Sequence, residues 1–313
     1  MRRLKRTPRL QLKCRQRFVI RLRVGLRSLA MSNRWNPRPI KAAWRPLTVA
    51  WALLTFISLY LPAAASDYAR EKRFADELVA HLVLGDAVMV PPPSGAPAAY
   101  RSFLGLYTVG KPGMPAVVLV HGVGTHPDDG LTGSLRLRLN DLGYTTLAVQ
   151  MPIAAKEATV DDYFPALFPE AGARLQAASV WLKDKGHVNV ALVSHTFGSW
   201  MANVYLDKSL DRSLDKSAQS TGTQAGAYRA WVCISLTGGY SFAVRNYPFP
   251  VLDLYGENDI PVTVSSAWRR NGLLRLAAAG SRQQMIPGAD AQWRGKEQAA
   301  AQAIADFLRT VMP

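Results

Sequence analysis

The first feature of the sequence that can do chemistry is a hydroxyl on a sharp turn. Residues 188–193 (VNVALV) are a strand-like, mostly apolar run that leads into residues 194–198 (SHTFG), and an amphipathic helical pattern follows. Small residues two positions before and after the apex allow a turn tight enough to expose the apex side chain. Ser194 and Gly198 meet this requirement, with Thr196 at the apex. The pattern predicts a nucleophile elbow that carries threonine where serine is usual.

A second feature is a glycine-rich turn that suits an oxyanion hole. The apolar run 116–120 leads into residues 121–124 (HGVG). The amides of Val123 and Phe197 are the candidate donors, and each such donor contributes about 3 kcal/mol of transition-state stabilisation. The alternative is that the glycines only make a tight strand-to-helix turn. The candidate pocket around both turns consists of His121, Gly122, Gly124, His195 and Gly198.

A carboxylate is available to complete this chemistry, but a histidine is missing. A strand-like run at 250–255 ends in a loop where Asp259 is the candidate acid, while Asp253 lies inside the run and is predicted to be structural. Residues 287–291 (PGADA) have the layout of a loop that supplies a catalytic histidine, but position 291 is alanine. In a well-studied serine protease, loss of that histidine alone lowers turnover by roughly 10⁶.

The remaining histidines offer few substitutes for the missing base. Three of them, His81, His187 and His195, are predicted to lie far from the hydroxyl or to point into the scaffold. His121 and His126 lie on the predicted oxyanion loop. His126 is the candidate for an unconventional general base.

These motifs, taken in order, resemble the α/β-hydrolases over residues 116–205 and 248–310. More narrowly, they resemble a bacterial family of exported α/β-hydrolase-like proteins of undetermined substrate. The likeness is carried by residues 121–128 (HGVGTHPD), residues 147–152 (LAVQMP), the elbow and the Asp259 loop. The resemblance implies serine at 196 and histidine at 291, so Thr196 and Ala291 depart from the family pattern.

The net charge of +16 suggests a nucleic-acid partner, but its distribution argues against one. Residues 1–65 hold 15 of the 38 Lys and Arg and none of the 22 Asp and Glu, which leaves residues 66–313 close to neutral. A nucleic-acid-binding protein is expected to carry its basic patch on the folded domain. We therefore expect no nucleic-acid partner.

The basic N-terminal region has the parts of a secretory signal. A positive flank precedes the uncharged apolar run 47–61, and residues 62–65 (PAAA) supply small residues for cleavage before Ser66. The run is short for a membrane span of about 20 residues, yet an uncleaved anchor stays open as an alternative. Residues 1–30 are long for such a signal, and we expect Met31 to be the true start. The protein is thus predicted to be periplasmic or secreted, with membrane contact only if 47–61 is kept.

Residues 66–313 are predicted to form a single α/β domain. Apolar runs at 116–120, 145–149, 188–193, 230–236, 250–255 and 283–286 alternate with helical patterns, which predicts a mostly parallel, doubly wound sheet of the α/β-hydrolase type. Residues 152–170, with Tyr163, Phe164 and Phe168, suit either a small lid or a loop packed down by its aromatics. The polar stretch 207–228 is predicted to be a surface insertion.

Three functions are compatible with these features. The favoured one is a catalytically inactive hydrolase-like protein that binds a small-molecule or acyl ligand. The second is an esterase or acyl hydrolase that uses Thr196 with an unconventional base, and the weakest is a nucleic-acid or membrane-surface protein. No C-x-x-C pair or His/Cys cluster is present. We therefore expect neither a metal nor another cofactor.

Overall fold

The structure is a computed structural model that describes residues 66–155, 166–214, 228–237 and 246–313, with no side chains described for 209–214. The predicted signal or anchor within residues 31–65 and the basic leader 1–30 lie outside the described residues. So do Tyr163, Phe164 and most of the predicted insertion, at 215–227.

The described residues alternate between strands and helices. The helices are α1 (Tyr68–His81), α2 (Gly130–Asp141), α3 (Phe168–Asp184), α4 (Phe197–Leu214), α5 (Pro261–Leu274) and α6 (Glu297–Val311). The strands are β1 (Asp86–Val90), β2 (Phe103–Thr108), β3 (Ala116–Val120), β4 (Thr145–Val149), β5 (Val190–His195), β6 (Ala230–Ile234), β7 (Val251–Asn258) and β8 (Arg282–Asp290).

These strands form one sheet in the order β1-β2-β4-β3-β5-β6-β7-β8. Strand β2 runs antiparallel to both of its neighbours, β1 and β4. The other six strands, β3 to β8, are parallel to one another. Every residue of β3, β4 and β6 is buried. Continuous apolar strands of this kind are typical of a parallel sheet covered on both faces.

The two faces of the sheet contribute to separate halves of the core. Val118 of β3 packs on one face with residues of α3 and α4, such as Leu175 and Met201. The next residue, Leu119, packs on the other face with residues of α2 and α6, such as Leu135. This alternation follows from the two-residue repeat of a strand.

The predicted α/β-hydrolase-type fold class is confirmed, with local differences. Strand β1 was not anticipated; it lies at the edge of the sheet and is mostly exposed. Helix α4 continues to Leu214, beyond the predicted end at 207. Phe168 opens α3 and packs edge-on against Phe197 with ring centroids 5.5 Å apart. The choice between a lid and a packed-down loop at 152–170 stays a prediction, since Tyr163 and Phe164 lie outside the described residues. Among the described helices, none is long and apolar enough to cross a membrane.

Candidate functional site

The hydroxyl of Thr196 stands on a turn in the left-handed region of backbone conformation. Its φ is +49°, between the end of β5 and the start of α4. Its amide donates to the carbonyl of Ile234 on β6 over 2.8 Å. A Cβ on Gly198 would lie only 2.4 Å from the carbonyl oxygen of His121. The glycine therefore allows the elbow to approach the loop that follows β3.

The predicted oxyanion loop lies directly beside the elbow. A Cβ on Gly122 would be 2.6 Å from Thr196 Oγ1. Val123 follows Gly122 in the turn, and Gly124 has a φ of +69°. Phe197 is the first residue of α4, at the positive end of the helix dipole. The two loops that carry the candidate oxyanion donors are thus neighbours.

The His121 side chain is committed to holding this loop in place. It is 1% exposed, and its Nε2 accepts a hydrogen bond from the Met151 amide over 2.8 Å. With the tautomer assigned from this network, Nδ1 donates to the Gly122 carbonyl over 2.7 Å. Burial lowers the pKa of His121 to about 3. The ring is therefore neutral and ties the loop after β3 to the segment after β4.

The candidate base His126 packs on α1. Its ring lies edge-on to Phe74, with centroids 5.2 Å apart. Its Nδ1 is buried and has no hydrogen-bond partner among the residues that the structure describes. Both nitrogens of His121 are already hydrogen-bonded. In the described part of the chain, no hydrogen bond joins the ring of His121 or that of His126 to Thr196. The role of His126 as a base stays a prediction.

The candidate acid, Asp259, is enclosed by donors that are not histidine. It is 6% exposed, and its Oδ2 accepts a hydrogen bond from the Ser235 hydroxyl over 2.5 Å. Its Oδ1 accepts from the amide of Ile260 over 2.8 Å, and the amide of Gly256 lies 3.4 Å from Oδ2. The indole Nε1 of Trp293 donates to Ser235 Oγ over 3.0 Å.

Ala291 lies between this acid and the elbow. The ring of His195 donates to the Ala291 backbone carbonyl, which raises the pKa of His195 slightly, whereas burial lowers it more strongly, to about 4. On the other side, Asn258 of β7 pairs with Asp290 of β8. Position 291 thus borders both the flank of Thr196 and the loop of Asp259.

The sequence analysis did not identify Ser235 and Trp293. Both have positive φ, +54° and +60°, and both side chains are essentially buried. Ser235 follows the last residue of β6, and the ends of parallel strands are where sites form in such sheets. That position was the available signal. Trp293 carried none, because its role depends on a contact with a residue 58 positions away.

A groove of about 450 Å³ lies near the elbow, between the 93–100 loop and helices α3 and α4. Its walls include Tyr100, Phe168 and Tyr205, and Lys208 lines it as well. Phe168 also packs against Phe197 of the elbow. Prolines and small residues make up most of the rest of the lining. The three aromatic rings and the Lys208 ammonium suit an apolar ligand with an anionic group.

No protein-family model and no curated protein matches the chain. Solved structures do. A putative α/β hydrolase of unknown function from Agrobacterium tumefaciens matches at 16% identity and a TM-score of 0.53, over 72% of this chain and 95% of that one. Dienelactone hydrolase from Anabaena variabilis matches at 18% identity and a TM-score of 0.52, over 73% of this chain and 99% of that one. An esterase from Pyrobaculum calidifontis matches at 14% identity and a TM-score of 0.51, over 85% of this chain and 99% of that one. These likenesses show that the chain has the α/β-hydrolase fold.

Proposed function

We propose that the protein is an exported α/β-hydrolase-like protein whose catalytic triad is degenerate and which binds a ligand without hydrolysing it. The observation that carries this proposal is the environment of Asp259. Its carboxylate is satisfied by Ser235 and by backbone amides, and residue 291 has no side chain that can take a proton. A hydroxyl nucleophile without a base is only weakly reactive.

The apex residue supports the same proposal. Thr196 holds the φ of +49° that the elbow requires, although β-branched residues are disfavoured there. Threonine keeps the hydroxyl, which lies in the narrow space next to Gly122, and adds a methyl group at the apex. The elbow is thus retained as a backbone shape while its chemistry is impaired.

The proposed ligand is a small molecule or an acyl compound. The groove lined by Tyr100, Phe168 and Tyr205 offers aromatic surface, and Lys208 offers a positive charge. Ligand sites of this size are usually apolar with a few polar groups that fix orientation. A fatty acid or an aromatic carboxylate has the matching chemistry.

The proposed location is outside the cytoplasm. The apolar run 47–61 and the small residues at 62–65 support cleavage before Ser66, with retention as an inner-membrane anchor as the alternative. We accordingly propose one α/β-hydrolase-like domain at 66–313, a signal at 31–65 and a leader at 1–30 upstream of the true start. The narrower likeness to exported bacterial proteins of unknown substrate belongs to the same proposal.

Ester hydrolysis by the processed protein tests the proposed inactivity. The substrates are p-nitrophenyl acetate and butyrate, and the variants are Thr196→Ala and Thr196→Ser/Ala291→His. We expect wild type and Thr196→Ala to give the same background rate, and the restored double variant to exceed it. Wild-type turnover that disappears in Thr196→Ala would overturn the proposal.

The alternative function is an esterase that uses Thr196 as nucleophile. It is favoured by the close approach of Gly122 to the Thr196 hydroxyl, which keeps the oxyanion loop in a working position. His126 is then the candidate base, and His126→Ala is expected to abolish turnover. The matched control is Phe74→Leu, which removes the ring that packs on His126 but leaves the imidazole in place.

A further inference from the structure

We infer that cleavage between Ala65 and Ser66 creates an N-terminal ammonium that completes a buried ion cluster around Glu71, so that the processed chain gains a stabilising charge that the precursor lacks. The inference rests on the export proposed above and not on the state of the triad. It assigns a structural consequence to one peptide bond of the chain.

The cluster contains one more negative charge than positive charge. Arg174 is buried, and its guanidinium forms ion pairs with Glu71, over 3.0 Å, and with Glu170. The Tyr68 hydroxyl donates to Glu170 over 3.0 Å, and Arg174 also donates to the Gln150 carbonyl over 2.9 Å. These neutral contacts do not balance the second carboxylate. Burying an unpaired charge is costly, so a further cation is favoured here.

An unused acceptor lies on the other carboxylate of the cluster. Glu170 is 1% exposed, and its Oε2 is buried without a hydrogen-bond partner among the described residues. Burial raises the pKa of Glu71, and Arg174 only partly opposes that rise. Both facts indicate that a single guanidinium neutralises the two carboxylates incompletely.

Ser66 holds the chain against this cluster. It is 3% exposed, and its hydroxyl donates to the Glu71 carboxylate. The Ile153 amide donates to Ser66 Oγ over 3.2 Å, and the Asp67 amide donates to the Ile153 carbonyl over 2.7 Å. Covalent geometry keeps the backbone nitrogen of a serine about 3 Å from its own Oγ. The nitrogen of Ser66 therefore lies close to the carboxylate of Glu71.

Hydrolysis changes the charge on that nitrogen. A signal peptidase adds water across the Ala65–Ser66 bond: the Ala65 carbonyl carbon takes the water oxygen and becomes a carboxylate, and Ser66 leaves as an amine that binds a proton. A free α-amino group has a pKa of about 8, so it is mostly an ammonium at neutral pH. In the precursor the same nitrogen is an uncharged amide.

Helix α1 links the proposed ion cluster at the N-terminus to the candidate site. Arg70, in the first turn of α1, donates to the carbonyl of Gly124 over 3.0 Å and to that of Ala154 over 3.2 Å. Fixing Ser66 therefore also fixes the helix that contacts the oxyanion loop. Processing is expected to order this loop as well as the N-terminus.

Four exported chains test the inference: wild type, a chain with one glutamine inserted between Ala65 and Ser66, and each of these with Glu71→Gln. Mass spectrometry first locates the mature N-terminus. An inserted residue moves the ammonium by about 3.8 Å. We expect the insertion to lower the Tm of the wild type by about 5 °C, as loss of one partner of a buried ion pair does. With Glu71→Gln the insertion is expected to change the Tm little.

Acylation of the α-amine gives a second readout that does not depend on a foldable Glu71 variant. In processed wild type we expect the Ser66 amine to react with acetic anhydride at least about tenfold more slowly than the α-amine of the inserted chain, because an ammonium held by a carboxylate is harder to deprotonate. The exposed side chain of Lys72 serves as the internal reference in both chains. Equal rates for the two α-amines, relative to Lys72, would overturn the inference.

The outcomes separate this inference from the export proposal. A mature N-terminus at Ser66 with no effect of the insertion contradicts the ammonium pairing and leaves export intact. A mature N-terminus elsewhere overturns the predicted cleavage site and the pairing together. The ester assay described above is unaffected by either result.

Discussion

The Ser235 hydroxyl donates to Oδ2 of Asp259 over 2.5 Å, and Ser235 Oγ in turn accepts from the buried indole of Trp293. This chain of hydrogen bonds explains how an acid that would orient a histidine can be buried without one. The carboxylate keeps a close donor on one oxygen and the Ile260 amide on the other. The same contact leaves Asp259 poorly available to a histidine introduced at 291.

The Ser235 contact predicts that a third substitution improves the activity of the restored triad. Adding Ser235→Ala to Thr196→Ser/Ala291→His is expected to raise kcat/KM for p-nitrophenyl acetate by about tenfold over the double variant, because the freed carboxylate can orient the new histidine. Ser235→Ala alone should stay at background. A triple variant that is no faster than the double variant would show that the Ser235 hydrogen bond does not keep Asp259 from orienting a histidine at position 291.

The positive φ of Thr196 predicts that a glycine at this position stabilises the fold. A β-branched residue at a φ of +49° is strained by about 1 to 3 kcal/mol, and glycine relieves that strain at a cost in unfolded-state entropy of about 1 kcal/mol. Thr196→Gly is therefore expected to raise the free energy of unfolding by about 1 kcal/mol, measured by urea denaturation. Thr196→Val, which keeps the branching and removes the hydroxyl, is the control and should not stabilise. A destabilised glycine variant would contradict the assigned strain.

Two buried histidines predict a loss of stability in mild acid. The pKa of His121 falls from 6.5 to about 3 and that of His195 to about 4. Below pH 6.5 the two histidines bind protons in the unfolded chain but not in the folded chain. Their contribution to the free energy of unfolding is therefore fully present above pH 6.5, and it decreases as the pH falls until the folded groups protonate as well. For His121 the slope is about 1.4 kcal/mol per pH unit.

Urea denaturation between pH 4.5 and 7.5 measures this slope. His195→Gln is expected to flatten it, since one of the two groups is removed, and His81→Gln, on exposed α1, should leave it unchanged. A slope that is the same in wild type and in His195→Gln would contradict the lowered pKa of the buried His195 ring.

Much of the fold was predictable because the sheet core is local in sequence. The run that became β3 is apolar at every position, the run that became β4 is apolar after its two threonines, and both are buried throughout, as a strand covered on both faces requires. The positions of Thr196 and of the turn at 121–124 followed from the strands before them. Strand β1 was missed although residues 87–90 are apolar, because it is a mostly exposed strand at the edge of the sheet whose place depends on pairing with β2.

The interior contacts of the site were not predictable in the same way. His121 was considered as a base because it lies on the oxyanion loop, but its burial and its bond to the Met151 amide depend on the packing of two strands. The Ser235–Asp259 contact joins the ends of β6 and β7. Such pairs are set by the register between strands, which single-sequence patterns do not encode.

The glycines around the elbow predict a graded series of effects. A Cβ at 198 meets the backbone oxygen of His121 at 2.4 Å, and backbone cannot move away without disturbing the loop after β3. A Cβ at 122 meets the Thr196 hydroxyl at 2.6 Å, and that side chain can rotate. A Cβ at Gly272, within α5, meets nothing within 4 Å.

We expect Gly198→Ala to destabilise the protein by about 3 kcal/mol through overpacking, and Gly122→Ala by about 1 kcal/mol. Gly272→Ala is expected to stabilise it by up to about 1 kcal/mol, because alanine favours a helix interior and has room there. Urea denaturation of the three variants measures the order. Gly122→Ala combined with Thr196→Ala should recover the loss, since the clashing oxygen is gone. If the double variant is as unstable as Gly122→Ala alone, the Thr196 hydroxyl does not lie against the oxyanion loop.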